Sequence, residues 1–385
     1  MKNSAAPSRR IAVSGDNTRP RMVALCLMLA VWLSLAPVTA QESHAATAPA
    51  HDADPLYTPA VAAAVDDAMR YLTNQQQKSG AIGKNAQIAT TALSGLALLS
   101  AGQTPGRGKY AQTVKNCVNF LMANQRANGY FCSDFDQQSR MHGQGFALLF
   151  LAEVYGMLSP GPRQDDAELA KLQDSIKRAI TVCEESQSPE GGWNYEPSQH
   201  NVGHEGSITV CIVEGLRAAR NAGFLVKREC IDNAVSYMKK SWDGTSSFQY
   251  RLGQPGLPSF PLAGAGACVL IATGDQSVEV QKMIRSAVEF VRSCPPGTAN
   301  DAAIRFWFYG YFYATQALHF QGGEAWERWY VPLRDVLLAR RKVSAGLGGY
   351  WEASSNEVGG DTAFGTALAV LMLQMPSQYL SVFQR

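Results

Sequence analysis

The segment YEPSQHNVGH places two histidines, His200 and His204, four residues apart and just before Glu205. Histidines at that spacing share one face of a helix, and their ring nitrogens are common zinc ligands. Asp134 and His142, from the preceding part of the chain, could add further ligands. The segment reads as a loop, however, and histidines more often satisfy local hydrogen bonds. We therefore predict no cofactor, and we keep a zinc site of His142, His204 and Asp134 as the alternative.

Polar side chains occupy equivalent places at the starts of several apolar, helix-like segments. In a ring of parallel helices these side chains would gather at one mouth of a cavity. Helix N-termini around one opening create a positive field that suits an anionic group. Only Arg140 and Arg305 add cations nearby, which argues against a diphosphate clamp. The candidate ligand contacts of this kind are His142, Gln144, His204, Arg305 and Thr362, and the candidate catalytic acids are Asp361, Asp301 and Glu205.

Asp301 and Arg305 stand four residues apart at the start of an aromatic run, RFWFYGYFY. This spacing predicts an ion pair within one helix. The aromatic faces can attract a cation, and they pack a hydrophobic core equally well. The run covers more than one helical face, so some of its rings must face a cavity or a neighbouring helix. We predict Trp307 and Tyr309 as ligand contacts, with core packing as the alternative.

Glycine-bearing loops interrupt the helix-like segments at regular intervals. The steps between their glycines are 49 to 63 residues, so the chain contains six units of about fifty residues. A period of that length is the signature of a repeat architecture. The glycines that mark the loops are Gly80, Gly129, Gly192, Gly244, Gly297 and Gly348.

Each repeat has the same two halves. An amphipathic helix precedes the loop, as the spacing of Val61, Val65, Ala68 and Leu72 indicates in the first repeat. A more apolar helix, rich in small residues, follows the loop, as in IATTALSGLALLSAG. A helix that is apolar nearly all round must be covered on several sides. We therefore predict an all-α fold over residues 58–385, an α/α toroid with six inner helices, six outer helices and a central cavity.

The loops also share a glutamine, one or two glycines and an aromatic residue. The glycines allow a tight turn, and the aromatic ring is expected to pack between neighbouring repeats. The segments Gln125–Tyr130, Gln187–Trp193 and Gly348–Trp351 resemble the QW repeats of the prenyltransferase and squalene cyclase superfamily. The resemblance covers about residues 58–385 and implies an α/α toroid with a central cavity.

The residues that carry the chemistry of that superfamily are missing. The segment VGGDTA fits the tail of the cyclase acid motif, but Gly360 stands where the proton donor should be. Asp361 is therefore expected to cap the following helix. The Asp-x-Cys pair of the zinc site in protein prenyltransferases occurs nowhere in the sequence. If the protein is an enzyme, the resemblance implies a transferase, isomerase or lyase.

The N-terminal segment predicts export. Five basic residues precede an apolar run in residues 1–40, which is typical of a secretory signal, with an uncleaved membrane anchor as the alternative. An Ala/Pro-rich linker follows over residues 41–57. Without the signal the chain carries a net charge of −2 and seven cysteines. Near-neutral charge argues against nucleic-acid partners, and no second apolar run predicts a membrane span. Cys132 and Cys294 lie in predicted loops and could pair. The expected location is the periplasm or the outside of the cell.

Three classes of function remain open. The leading hypothesis is an exported protein whose cavity binds a hydrophobic or peptide-like ligand, such as an isoprenoid or lipid. The alternative is an enzyme acting on an isoprenoid or a polysaccharide. The third is a structural protein with a plugged cavity, whose partners bind its outer surface.

Overall fold

The computed structural model describes residues 55–134, 136, 140–158, 167–198 and 204–384. The predicted signal, most of the predicted linker and His200 lie outside these residues. Leu56 and Tyr57, at the end of the predicted linker, pack against the hydrophobic core.

The described residues form twelve α-helices and one short hairpin. No helix among them is both long and apolar enough to cross a lipid bilayer. The elements are α1 Pro59–Gln75, α2 Gln87–Ser100, α3 Ala111–Ala123, α4 Arg140–Leu158, α5 Ala167–Glu185, α6 Gly206–Asn221, α7 Arg228–Lys240, α8 Phe260–Thr273, α9 Val278–Arg292, α10 Trp307–Gln321, α11 Gly323–Arg340, β1 Lys342–Ser344, β2 Gly348–Tyr350 and α12 Thr362–Gln374.

Odd and even helices differ in how much of their surface is buried. In α7 the buried residues are Cys230, Ala234, Tyr237 and Met238, which form one stripe of a helix. In α2 every residue is buried, as expected for a helix covered on all sides. The odd helices are therefore the outer helices, and the even helices are the inner ones.

The inner helices form a closed ring. Each even helix contacts the next one along the chain, and α12 contacts α2. The outer helix α1 packs against α12 and β2, so the last repeat also covers the first. The hydroxyls of Tyr71 and Thr362 lie 2.8 Å apart across this junction. The fold is an α/α toroid, which confirms the predicted fold class.

The recurring loop residues join each repeat to the next. The side-chain amide of Gln187 donates to the carbonyls of Gly191, at 3.0 Å, and of Cys230 on α7, at 2.7 Å. Gln125 makes the same pair of bonds one repeat earlier, to its own loop and to Ser175 on α5. The indole of Trp193 is buried and donates to the carbonyl of Cys183 on α5 at 2.7 Å. The loops therefore hold the outer helices in register around the ring.

The C-terminal segment lies across the ends of the inner helices. The buried carboxylate of Glu153, on α4, accepts hydrogen bonds from the backbone and hydroxyl of Ser381 and from the backbone of Val382, at 2.8–3.1 Å. The ring of Phe383 packs edge-on against Phe312 of α10. This segment therefore covers the end of the ring where the inner helices finish.

Candidate functional site

A cavity of about 450 Å³ opens at the end of the ring where the inner helices begin. All six inner helices contribute to its wall, together with the loops that precede five of them. Its floor is apolar and its rim is polar. The floor is lined by Phe146, Leu262, Phe312, Phe364 and Leu368, and the rim by His142, Tyr195, Ser207, Tyr250, Arg305, Phe306, Tyr309 and Glu357, among others.

The rim contains a chain of three hydrogen-bonded side chains. The hydroxyl of Ser207 donates to the carboxylate of Glu205, and the same hydroxyl lies 2.9 Å from Nε2 of His142. Because the hydroxyl proton points to the carboxylate, Ser207 accepts from His142 Nε2–H, and this assigns the tautomer. Nδ1 of His142 then carries no proton, and it has no hydrogen-bond partner among the described residues.

Burial controls the charge of this chain. Desolvation lowers the pKa of His142, against a smaller opposing effect of the Glu205 charge. The ring is therefore neutral near pH 7 and can accept a proton. Glu205 is fully buried, and its carboxylate interacts with the hydroxyls of Tyr195 and Tyr250. Within the described part of the chain, Nδ1 of His142 is thus a buried basic atom without a partner beside the cavity, which is uncommon for buried polar groups.

Tyrosines extend the polar rim on both sides of Ser207. The hydroxyls of Tyr195 and Tyr250 lie 2.5 Å apart, and the Tyr195 ring is 6.2 Å from that of His142. The hydroxyl of Tyr309 donates to the Ser207 carbonyl at 3.2 Å. Burial, followed by the nearby Glu205 charge, raises the pKa of Tyr195, so this phenol stays protonated and can donate.

Arg305 supplies a cation to the rim. Its guanidinium lies 4.8 Å from the ring of Phe306, and no carboxylate among the described residues forms an ion pair with it. Arg140, the other predicted cation, pairs with Glu196. Phe306 has φ +58°, and the cavity residues Ala86 and Val358 also have positive φ. Such strained backbone is common at functional sites.

Carboxylates already occupy several helix N-termini at this mouth. Asp136 accepts from the Ile88 backbone of α2 at 3.1 Å, and Glu357 accepts from the Tyr309 backbone of α10 at 3.0 Å. Asp361 caps α12 by accepting from the Ala363 backbone, as predicted, and its second oxygen accepts from the Lys84 backbone N–H at 2.7 Å. The predicted positive field of free helix N-termini is thus largely neutralised.

Several predicted site residues hold the ring together and do not line the cavity. The Gln144 side chain is fully buried and accepts from the Phe131 backbone at 2.9 Å. Thr91, Thr209 and Thr366 bind the corresponding loop backbones in other repeats. Thr362 binds the Tyr71 hydroxyl. These side chains serve the junctions between loops and inner helices.

The predicted ion pair between Asp301 and Arg305 is wrong. The buried Asp301 carboxylate pairs with Arg340 of α11 at 2.8 Å and also accepts from the Trp307 indole. Residues 301–303 form a 3-10 turn, and α10 begins only at Trp307, so the expected helical spacing does not exist. Trp307 is buried, and the Arg340 guanidinium lies 4.4 Å from its ring. It packs between helices rather than in the cavity.

The proposed zinc ligands do not form a cluster. Among the described residues no group of three His, Cys, Asp or Glu side chains could hold a metal ion. His142 bonds to Ser207, and the His204 ring packs edge-on against Tyr237. Cys132 and Cys294 are unpaired thiols.

Two rim residues, Tyr195 and Tyr250, were not predicted from the sequence, although a pattern shared by two loops indicates them. Tyr195 and Tyr250 each stand two positions after a buried loop aromatic, in WNY and FQY. Of the predicted contacts, His142, Arg305 and Tyr309 line the cavity, and Glu205 lies directly behind Ser207. Glu357, also missed, carries no such signal because its partner lies 48 residues away.

Several solved proteins of similar fold are named as sugar-processing enzymes. No protein-family model and no curated protein sequence matches this chain. A D-mannose isomerase superposes with a TM-score of 0.59 and 9% identity, over 86% of this chain and 100% of that one. An α-1,6-mannanase from Salegentibacter gives 0.56 and 10%, over 83% and 99%. Cellobiose 2-epimerase from Bacillus thermoamylovorans gives 0.53 and 12%, over 77% and 89%. At such low identity the likeness shows the α/α toroid fold alone.

Proposed function

We propose that the protein is a carbohydrate-processing enzyme in which His142 transfers a proton to and from a sugar bound in the cavity. The observation that carries this proposal is the chain of His142, Ser207 and Glu205 at the cavity rim. The solved toroids of similar fold, which include an isomerase and an epimerase of sugars, support the substrate class.

The favoured reaction is proton abstraction beside the carbonyl carbon of an open-chain sugar. Neutral His142 takes the proton at Nδ1, while Ser207 and Glu205 fix the tautomer and orientation of its ring. The guanidinium of Arg305 stabilises negative charge that develops on the carbonyl oxygen. Isomerisation follows when His142 returns the proton to the former carbonyl carbon and the hydroxyl proton of the adjacent carbon passes to the former carbonyl oxygen. Epimerisation follows when the intermediate turns and His142 returns the proton to the opposite face of the original carbon. Because Nδ1 is buried, side chains around it must move when the substrate binds.

Glycoside hydrolysis is a less suitable reaction for this site. It requires two carboxyl groups that face the scissile bond from opposite sides. Glu357 lines the cavity, but its carboxylate is bound by the backbone at the start of α10. Glu205 is fully buried behind Ser207.

The apolar cavity floor favours a second candidate, in which the ligand is an isoprenoid or another hydrophobic molecule. This candidate agrees with the resemblance of the loops to the prenyltransferase and squalene cyclase superfamily. In that case the rim would orient a polar end of the ligand, and no proton transfer would be needed.

Deuterium exchange separates the two candidates. D-mannose, D-fructose and cellobiose are incubated with the protein in D₂O, and deuterium at C1 and C2 is followed by NMR. Protein-dependent exchange that His142→Gln abolishes supports the enzyme. If no exchange occurs and farnesol binds saturably, the enzyme proposal is wrong and the hydrophobic-ligand candidate takes its place. Arg285→Gln, on the exposed face of α9, is the control variant.

We also propose that the protein works outside the cytoplasm, on the basis of the signal-like residues 1–40. N-terminal sequencing of the protein from its native cells tests this, because cleavage near residue 40 is expected.

A further inference from the structure

A second, larger cavity lies between the outer helix α7 and two inner helices. It is a groove of about 720 Å³ bounded by the outer helix α7 and the later turns of the inner helices α6 and α8. None of its lining residues belongs to the cavity described above.

One wall of the groove is aliphatic. Val213 and Leu216 of α6 and Val269 of α8 are buried in the core, and their side chains still border the groove. Ile231 and Val235 of α7 are partly buried and complete this wall. Because Ile231 and Val235 still expose part of their surface, an unbranched hydrocarbon chain could cover them and remove that surface from water.

The groove also carries four cations and two acids. Lys239 pairs with Asp275 at 2.8 Å, and Arg228 pairs with Asp232 at 3.5 Å. The two remaining cations, Arg217 and Arg220, have no ion-pair partner among the described residues. They stand three positions apart on α6 and therefore share one face of the helix.

Arg217 is held in place by its neighbours. Its guanidinium lies 5.4 Å from the ring of Phe320 on α10, and its charge favours the ionised form of Glu214, one turn earlier. Glu214 itself is directed inward, since it accepts from the Tyr313 hydroxyl at 3.1 Å. The donors of Arg217 that do not face Glu214 are therefore available to a ligand.

The corresponding groove one repeat earlier lacks both properties. It is bounded by α5 and the ends of α4 and α6, and its volume is about 350 Å³. Its lining contains one cation, Lys177, and one acid, Glu184, and that acid pairs with Lys227. The groove at α7 is thus about twice as large and has an excess of positive charge, so neither property is a general consequence of the repeat.

We propose that the groove at α7 binds a single-chain amphiphile with an anionic head group. The hydrocarbon chain lies along Ile231 and Val235, and the head group accepts hydrogen bonds from Arg217 and Arg220. This site is independent of the reaction proposed for the other cavity.

Calorimetric titration with decyl phosphate, below its micelle concentration, tests the site. Binding with a stoichiometry of one is expected, and Arg217→Gln/Arg220→Gln should weaken it by about tenfold or more. Decanol and inorganic phosphate, which each lack one half of the ligand, should also bind much more weakly. The single variant Arg220→Gln is tested as well. Because the Arg220 side chain is exposed, weaker binding in this variant would not result from misfolding.

Two controls locate the binding. Arg285→Gln on α9 and Arg305→Gln at the other cavity should leave the affinity for decyl phosphate unchanged. Loss of binding in Arg305→Gln, or equal affinity in the double variant and the wild type, would overturn the proposal. Binding to phosphatidylglycerol vesicles without binding of the free amphiphile would also overturn it, because the groove would then be part of a bilayer-contacting surface.

Discussion

The imidazole of His142 lies 2.9 Å from the hydroxyl of Ser207, across the boundary between the second and third repeats. Neither residue could form this contact within its own repeat. The position of the proposed base therefore depends on the packing of α4 against α6, where Gly145 and Gly215 allow the helix backbones to approach closely. A side chain at Gly145 would overlap the backbone of Cys211.

Removal of the Ser207 hydroxyl should slow the exchange reaction without unfolding the protein. Ser207→Ala leaves the His142 ring without its partner, and His142→Gln removes the base. Loss of a positioned general base costs about 10²–10⁴-fold in rate. We expect His142→Gln to fall in that range and Ser207→Ala to lose less. Equal exchange rates in the wild type and His142→Gln would contradict the assignment.

The pH profile should report on His142. Because burial lowers its pKa, the rate should stay constant down to below the ordinary histidine value of about 6.5 and fall only at lower pH. Glu205→Gln removes the charge that raises the pKa of His142, so the fall should move to still lower pH. Measurement of kcat/KM against pH for both proteins checks the direction of this shift.

Gly191→Ala should destabilise the toroid strongly. Gly191 has φ +95°, and a Cβ there would overlap the carbonyl oxygen of Asn233 on α7. Backbone strain alone costs about 1–3 kcal/mol, and the overlap adds to it. Gly106→Ala is the matched control, since Gly106 lies in open space. Urea unfolding of both variants measures the difference in stability. Equal midpoint urea concentrations for Gly191→Ala and Gly106→Ala would contradict the predicted destabilisation.

Glu214 should make stability depend on pH. Burial raises its pKa to about 7 from an ordinary value of 4.5, so the folded protein holds the proton more tightly than the unfolded chain. Stability is therefore highest below about pH 4.5 and falls as the pH rises to about 7, by up to about 3 kcal/mol. Glu214→Gln should lack this contribution. The unfolding free energies of the wild type and of Glu214→Gln are measured at pH 5 and at pH 8, and the difference between the two proteins is compared at the two pH values. This comparison separates the contribution of Glu214 from those of Glu153 and Glu357, whose pKa values burial also raises.

Arg340 and Arg305 should respond differently to the same substitution. Arg340→Gln leaves the buried Asp301 carboxylate without its cation and should cost about 2 kcal/mol of stability. Arg305→Gln breaks no ion pair among the described residues and should change ligand affinity instead. Thermal unfolding and sugar binding are measured on both variants. A lower unfolding temperature for Arg305→Gln than for Arg340→Gln would contradict the assignment of stability to Arg340 and of ligand binding to Arg305.

The sequence predicts the ring well because its signals are local and repeated. Helical periodicity, regular loops and the capping position of Asp361 each involve residues close in the chain. The contacts that the sequence did not reveal join distant residues. Asp301 meets Arg340 39 positions later, and Glu357 binds a backbone group 48 positions away. No local pattern distinguishes an inner-helix glutamine that serves a loop, such as Gln144, from one that faces the cavity.

The closed ring has a consequence for synthesis. Parts of the surfaces of α1 and α2 are covered only by α12. This helix is synthesised some 290 residues later, as the separation of Tyr71 and Thr362 shows. Until that helix leaves the ribosome, an apolar edge stays open to other chains. Contacts of such high sequence separation slow folding and expose the chain to aggregation. The newly made chain therefore depends on a chaperone, or on rapid completion, more than an open array of the same repeats would.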